Sequence, residues 1–387
     1  MESEFDISRA IAEGNAFFQR VMESDAHEKR SVSIEDLERK LSALLMQFVR
    51  TVSPTLEASI AFGNVHEKMR RKWHTELTYV ELEGQRVQLH FDTQLAGAGD
   101  RHSGLIFVAK SWVLILVIVK ALSIEPELTG NFVFEIGDNA TLGEVGFTST
   151  KPDACLIMDF DFAAADGYRP YRAPFEANWV PWERRIPRVF WRGSTTGRRL
   201  YDPPPEGARD RFTWLPRLAL CRECREPDLA AHCDVGITQF QQMPEKYLQE
   251  RITAAGFLRE PVPRQHFMNY RGVFDIDGNC NAWSGLFLSL LGGSCVLKVE
   301  SQDGFREWYY DRLVPWENYI PVKSDLSDLP EAVAWFVEND GAAALVAAQG
   351  RDLAKSIDAR SALLESAENL IRWLERRAAA QQQFSAP

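Results

Sequence analysis

This 387-residue chain lacks the loop signatures of the commonest nucleotide enzymes. It has no G-x-x-x-x-G-K-[ST] segment, which argues against a P-loop kinase or ATPase. It has no G-x-G-x-x-G after a strand, which argues against the usual dinucleotide-binding dehydrogenase. A G-x-S-x-G nucleophile elbow is also missing, which argues against that class of hydrolase. There is no basic excess: 44 Lys and Arg stand against 55 Asp and Glu, a net charge of −11 at pH 7. Nucleic acid is therefore not expected as a partner. The most apolar run, Leu105 to Leu122, is broken by Lys110 and Lys120. A bilayer crossing takes about 20 apolar residues, so a buried helix is expected here and no transmembrane segment. The opening MESEFDISRA has neither the positive nor the apolar region of a signal peptide, which leads to the expectation of a cytoplasmic protein. The cysteines number six and are expected as reduced thiols. Cys221-x-x-Cys224 with His232-Cys233 has some likeness to a zinc site. However, RLALCREC reads as a helix, and thiols packed on its face are the expectation.

What is present alternates helix and strand. Residues 1–60 read as helical, with a clear three-and-four apolar spacing from Ile34 to Val49 behind the cap candidates Ser31 and Ser33. Thr78 to Leu82 and Val87 to Phe91 read as a hairpin turning at Glu83-Gly84, and residues 96–103 as a loop. The strand Phe132 to Ile136 ends in Gly137-Asp138-Asn139. An acid at the carboxyl end of a strand is where an α/β enzyme places catalytic groups, although Asp-Asn also simply caps turns. Asp159-x-Asp161 could ligate a hard cation, but such pairs arise often by chance and no metal is assigned. Tyr168 to Trp182 is rich in proline and aromatics and reads as a crossover between domains.

Two later segments have phosphate-binding chemistry. In Arg188-Val-Phe-Trp-Arg-Gly-Ser-Thr-Thr-Gly197, a strand meets a loop of small and hydroxyl residues. Gly193 lets backbone approach a ligand, Ser194 and Thr195 offer donors, and Arg192 offers a charged fork. Farther on, a strand (Val273–Ile276), a polar turn (Asp277-Gly278-Asn279), a short apolar helix from Trp283 to Leu291 and a second strand (Ser294–Val299) make a βαβ unit. Ligands in such units bind beyond the carboxyl ends of the strands, where helix N-termini favour anions. A phosphate-bearing ligand is expected there.

The motifs VFWRGSTTG, DIDGN followed by WSG, LLGGSCVLKVES and WYYDRLVPWENYIPVKSDLSDL occur in order. Together they resemble glycosyltransferase family 90, over roughly residues 130 to 352. The resemblance implies an α/β chain of two Rossmann-like domains facing a cleft (the GT-B type), with a C-terminal helix packing back on the first. The boundaries expected are 1–185, 186–360, a helix at 361–378 and a disordered tail at 379–387. It implies inverting, metal-independent sugar transfer from a UDP-sugar co-substrate, with no other cofactor. Asp138 would be the general base. The donor would be held by Arg192, Gly193, Ser194, Thr195, Arg211, Asp277, Gly278, Asn279, Trp283, Ser284 and Gly285. The acceptor would be a glycan, lipid-linked saccharide, small molecule or protein. One departure stands out: Leu286 occupies the place of the usual phosphate-binding arginine. Either another arginine (Arg198, Arg199 or Arg271) compensates, or the donor differs, or activity is weak or lost and the chain binds a nucleotide-sugar or glycan without turnover.

Overall fold

The computed structural model describes residues 5–26, 33–63, 77–96, 101–137, 143–197 and 215–385. The chain divides into two compact units, Met1–Tyr168 with Asp358–Pro387, and Arg169–Ile357.

The first unit begins with helices α1 (Ile7–Ala26) and α2 (Ile34–Val52). Ser33 caps α2, its hydroxyl accepting from the Asp36 N–H; Ser31 lies outside the described residues. The helical reading of residues 1–60 stops short. Glu57–Gly63 is strand β1, where Ala58, Ile60 and Phe62 alternate inward with period two. The hairpin forms as expected from β2 (Leu77–Glu83) and β3 (Arg86–Asp92). Gly84 turns it at φ +54°, a left-handed value that glycine adopts at little cost. Of the expected loop at 96–103, residues 97–100 lie outside the described set, and Arg101 already opens α3 (Arg101–Lys110).

Next come α4 (Trp112–Ile124), β4 (Thr129–Glu135), β5 (Val145–Gly146) and β6 (Cys155–Leu156). The sheet order is β1-β3-β2-β4-β5-β6. Here β2 runs antiparallel to both neighbours and the other pairs are parallel. This sheet is therefore mixed, and not the all-parallel sheet of a Rossmann domain. Helix α4 is apolar all round because it is covered all round: every residue from Trp112 to Ile118 is 0% exposed. By length and composition Gly104–Ile124 could cross a membrane, and 78% of its most apolar window is buried.

Asp159 caps the short helix α5 (Phe160–Ala164), its carboxylate accepting from Phe162 N at 2.8 Å. The last helix of the chain, Ala359–Ser385, packs against α4 and buries Leu363, Ala367, Leu370 and Leu374. Its Ser366 hydroxyl accepts from Met158 N at 2.9 Å. The tail expected to be disordered from 379 is helical as far as Ser385, since its Ala-Gln run is made of good helix formers.

The second unit starts at Arg169, ahead of the expected boundary. Its first helix, α6 (Arg169–Ala177), and the segment after it belong to it. Arg185 secures that segment by donating to the carbonyls of Gly292 (2.9 Å) and Gly293. The elements that follow are β7 (Ile186–Ser194), α7 (Pro216–Glu223), β8 (Cys233–Gln239), α8 (Lys246–Ala254), β9 (Tyr270–Asp275), α9 (Ser284–Leu291), β10 (Cys295–Val299) and β11 (Ile320–Val322). Helices α10 (Leu329–Glu338) and α11 (Asp340–Ser356) close the unit. All five strands are parallel, in the order β11-β10-β9-β7-β8. Winding goes outward from β7 to β8, then returns past β7 to β9 and proceeds the other way. The direction reverses between β7 and β9, so the crossovers leaving those two strands diverge and a crevice opens beyond their carboxyl ends.

Alternation along the strands sorts the two faces. Val189, Trp191, Phe274 and Ile276 enter a core with α7, α8 and α10. Phe190, Arg192, Val273 and Asp275 face the other way, toward α9. Cys221, Cys224 and Cys233 are packed in the core, as expected of thiols on a helix face. Burial pushes the Cys221 thiol up to about 12. Among the described residues no cluster of three or more His, Cys, Asp or Glu forms a candidate metal site.

Candidate functional site

A cavity of 280 Å³ occupies the crevice between β7 and β9. Its walls are the last residues of both strands, the first turns of α9, and the stretch from Val262 to Phe267. Three arginines line it, Arg192, Arg217 and Arg264, and their surroundings differ.

Arg192 is already paired. Its guanidinium lies over the Phe190 ring at 4.7 Å and donates to the Asp234 carboxylate at 2.6 Å and to the Asp234 carbonyl at 2.8 Å. Tyr270 Oη donates to the same carboxylate at 2.6 Å. Burial opposes ionisation of Asp234, but the bonds from Tyr270 and Arg192 outweigh it and hold the carboxyl below its usual range. The same burial, with Asp234 beside it, pushes the Tyr270 hydroxyl up to about 12. The expected phosphate fork is thus largely used inside the unit.

Arg217 was not foreseen, and it joins the two expected loops. Its Nε donates to the Asp277 carbonyl at 2.9 Å. One Nη donates to Thr196 Oγ1 at 2.6 Å and to the Ser194 carbonyl at 3.3 Å. Desolvation lowers its pKa to about 10, against the raising effect of Asp277 and Asp275, so it stays charged at neutral pH. Arg264 donates to Ser284 Oγ, at the first residue of α9. Among the described residues, neither Arg217 nor Arg264 has a carboxylate within ion-pair distance.

The two loops approach closely because Gly278 has no side chain. A Cβ there would stand 2.8 Å from an Arg217 Nη and 3.2 Å from Thr196 Oγ1. Ser194 Oγ and Thr196 Oγ1 are 3.1 Å apart, at the lip of β7. Thr195 is turned away: it is 1% exposed, and its hydroxyl exchanges bonds with the Gln241 backbone, both at 2.8 Å. At the start of α9, Trp283 holds φ +47°, a costly value for a bulky residue. It sets the turn that delivers Ser284 and Gly285 to the helix, and Gly285 lines the cavity. Burial pushes the Asp277 carboxyl up to about 6, against the pull of Lys298 and a bond to Ser301. Lys298 itself pairs with Asp275 at 3.1 Å.

Of the expected residues, Arg192, Gly193 and Gly285 line the cavity. Ser194, Asp277 and Gly278 touch it through Arg217, and Ser284 through Arg264, with Asn279 and Trp283 in the same two turns. Asp138 and Arg211 lie outside the described residues, as do Arg198 and Arg199. Arg271 is engaged elsewhere, with Asp340 at 2.9 Å and the Trp182 carbonyl at 3.1 Å. Leu286 is 0% exposed and belongs to the packing of α9.

Residues 220–359 match the model of glycosyl transferase family 90. Over that segment the chain is similar to glycosyl transferase family 90. A zebrafish (Danio rerio) relative, protein O-glucosyltransferase 2, is 29% identical over 175 residues, which is 45% of this chain and 30% of the relative. Human protein O-glucosyltransferase 3 is 38% identical over 126 residues, covering 32% of this chain and 23% of its own length. The chain thus spans less than a third of the length of these relatives. Among solved structures, Anabaena HepE in complex with UDP-glucose aligns with 52% of this chain and 51% of its own, at 14% identity and a TM-score of 0.31.

Arg217 and Arg264 share a local signature, an apolar residue, a proline and then the arginine: Leu215-Pro216-Arg217 and Val262-Pro263-Arg264. In both, the proline stands at the start of a helical turn, where its fixed φ is favourable. That pattern marks a turn in sequence. It marks a site only once the topology places both turns at the switch point.

Proposed function

We propose that the chain transfers a sugar from a UDP-sugar to an acceptor hydroxyl, with inversion at the anomeric carbon. The reading is carried by one observation: the strand order reverses between β7 and β9, and that crevice holds two guanidiniums that have no carboxylate within ion-pair distance among the described residues. An anion is the natural counterpart of such charges, and a diphosphate matches fork donors and a helix N-terminus together. The match of residues 220–359 to a glycosyltransferase family supports sugar as the group transferred. The names of the two relatives favour glucose, with xylose the alternative.

In this scheme Arg217, the Ser194–Thr196 lip and the backbone of Asp277–Asn279 hold the diphosphate as charge develops on it. Asp138 takes the proton of the acceptor hydroxyl, the freed oxygen bonds to the anomeric carbon, and the bond from that carbon to the diphosphate oxygen breaks. UDP leaves with the electron pair. The scheme uses no metal and no cofactor beyond the donor.

A transfer assay tests the reading, with UDP-glucose, UDP-xylose, UDP-galactose and GDP-mannose as donors and release of the nucleoside diphosphate as readout. Turnover with a UDP-sugar is expected. Asp138→Asn should abolish turnover while UDP binding persists. Preference for ATP over every UDP compound would overturn the reading.

A further inference from the structure

We propose that Arg264 is the specificity residue that reads the second phosphate, the one that distinguishes a nucleoside diphosphate from a monophosphate. The inference rests on the donor reading above and deepens it. Arg217 and Arg264 line the same cavity from different elements, and neither is neutralised by a carboxylate among the described residues. Arg192 shows what a satisfied guanidinium looks like in this unit: it is paired with Asp234 and lies flat on Phe190.

The two unpaired arginines are held differently. Arg217 is fixed by four bonds to the ends of β7 and β9 and the loops beyond them, and is half-buried. Arg264 is exposed, tied by a single bond to Ser284 Oγ, with its Cζ 5.8 Å from the Tyr171 ring. One arginine is an anchor at the floor and the other an arm at the mouth. The phosphate that carries the sugar must face the opening, because the acceptor reaches the sugar from solvent. Arg264 and the first turn of α9, an eight-residue helix with Ser284 at its start, therefore meet the outer phosphate. The carboxylate of Asp275 lines the same cavity, and its charge is offset by Lys298 at 3.1 Å. The arrangement also accounts for Leu286: positive charge at this helix end is supplied from the preceding loop and is not needed from within α9.

Isothermal titration of the full chain with UMP, UDP and inorganic pyrophosphate tests the proposal, with thermal melting of every variant as the check on folding. The wild type should bind UDP roughly 10- to 100-fold more tightly than UMP. Arg264→Ala should erase that ratio and weaken pyrophosphate, with UMP affinity kept. Arg264→Lys should keep part of the ratio. If Arg264→Ala preserves the wild-type ratio, or weakens UMP and UDP alike, the assignment falls and the donor reading stands. If the wild type binds pyrophosphate through Arg264 but no uridine nucleotide, the donor reading falls and the anion site stands. If it binds none of the three, both fall.

Discussion

Arg217 and Arg192 are the same residue type on neighbouring elements, and they are set up for different work. Arg217 spends its donors on the backbone and a hydroxyl, which orients it without neutralising it. Arg217→Ala is therefore expected to weaken UDP binding roughly 10- to 100-fold, read by titration. Arg217→Lys should not restore it, because an ammonium cannot bridge both loops as a planar fork does. Arg192→Ala should act mainly on stability, costing about 1–3 kcal/mol in urea unfolding, because it strips a partner from Asp234. Asp277 gives a pH signature. Its folded pKa of about 6 lies above the ordinary aspartate value of 3.8. Below both values the group is protonated in both states and costs nothing. As pH rises through that window the unfolded chain releases its proton first, so stability falls and then levels above about pH 6. Asp277→Asn should flatten this part of the stability–pH curve and gain up to about 3 kcal/mol at pH 7. A curve that keeps its slope in the variant would show that another group is responsible.

At the scale of the element, the site is two loops and one helix end held at close range. Gly278→Ala should displace the Arg217 guanidinium, since the added methyl would stand 2.8 Å from it. UDP affinity is expected to fall with only a modest loss of melting temperature. Leu286→Arg separates position from composition in α9. An arginine at a fully buried site leaves an uncompensated charge inside the unit, and a loss of about 3–5 kcal/mol is expected without any gain in nucleotide binding.

Elements of this kind were the most legible part of the sequence. The strand–turn–helix–strand from Val273 to Val299 and the hairpin at Gly84 follow from short-range periodicity and turn chemistry, which the residues themselves carry. Strand β1 was missed although Ser53-Pro54 punctuates the end of α2, because its alternation extends over only three inward residues, Ala58, Ile60 and Phe62. Arg217 and Arg264 were missed because each sits in an ordinary Pro-started turn, and only the crossing order of the strands places them at one crevice. The pairing of Arg192 with Asp234 was illegible for the same reason: the two residues are 42 positions apart and meet across β7 and β8.

At the scale of the molecule, the two units are threaded differently. Arg169–Ile357 is one continuous stretch with its own core, whereas the first unit needs the chain to return at Asp358. A fragment of residues 169–357 is expected to unfold cooperatively in urea. Removal of residues 358–387 should leave α4 uncovered on one side and the first unit insoluble, because the lost helix buries several large apolar residues and domain stability is only about 5–15 kcal/mol.

The proposed function puts the nucleotide diphosphate in the crevice between β7 and β9. Amide hydrogen exchange of the full chain, with and without saturating UDP, tests it most directly. Slowed exchange is expected in the segments 193–196, 262–267 and 276–286 and at the start of α7. Protection elsewhere in the chain, with these segments unchanged, would contradict it.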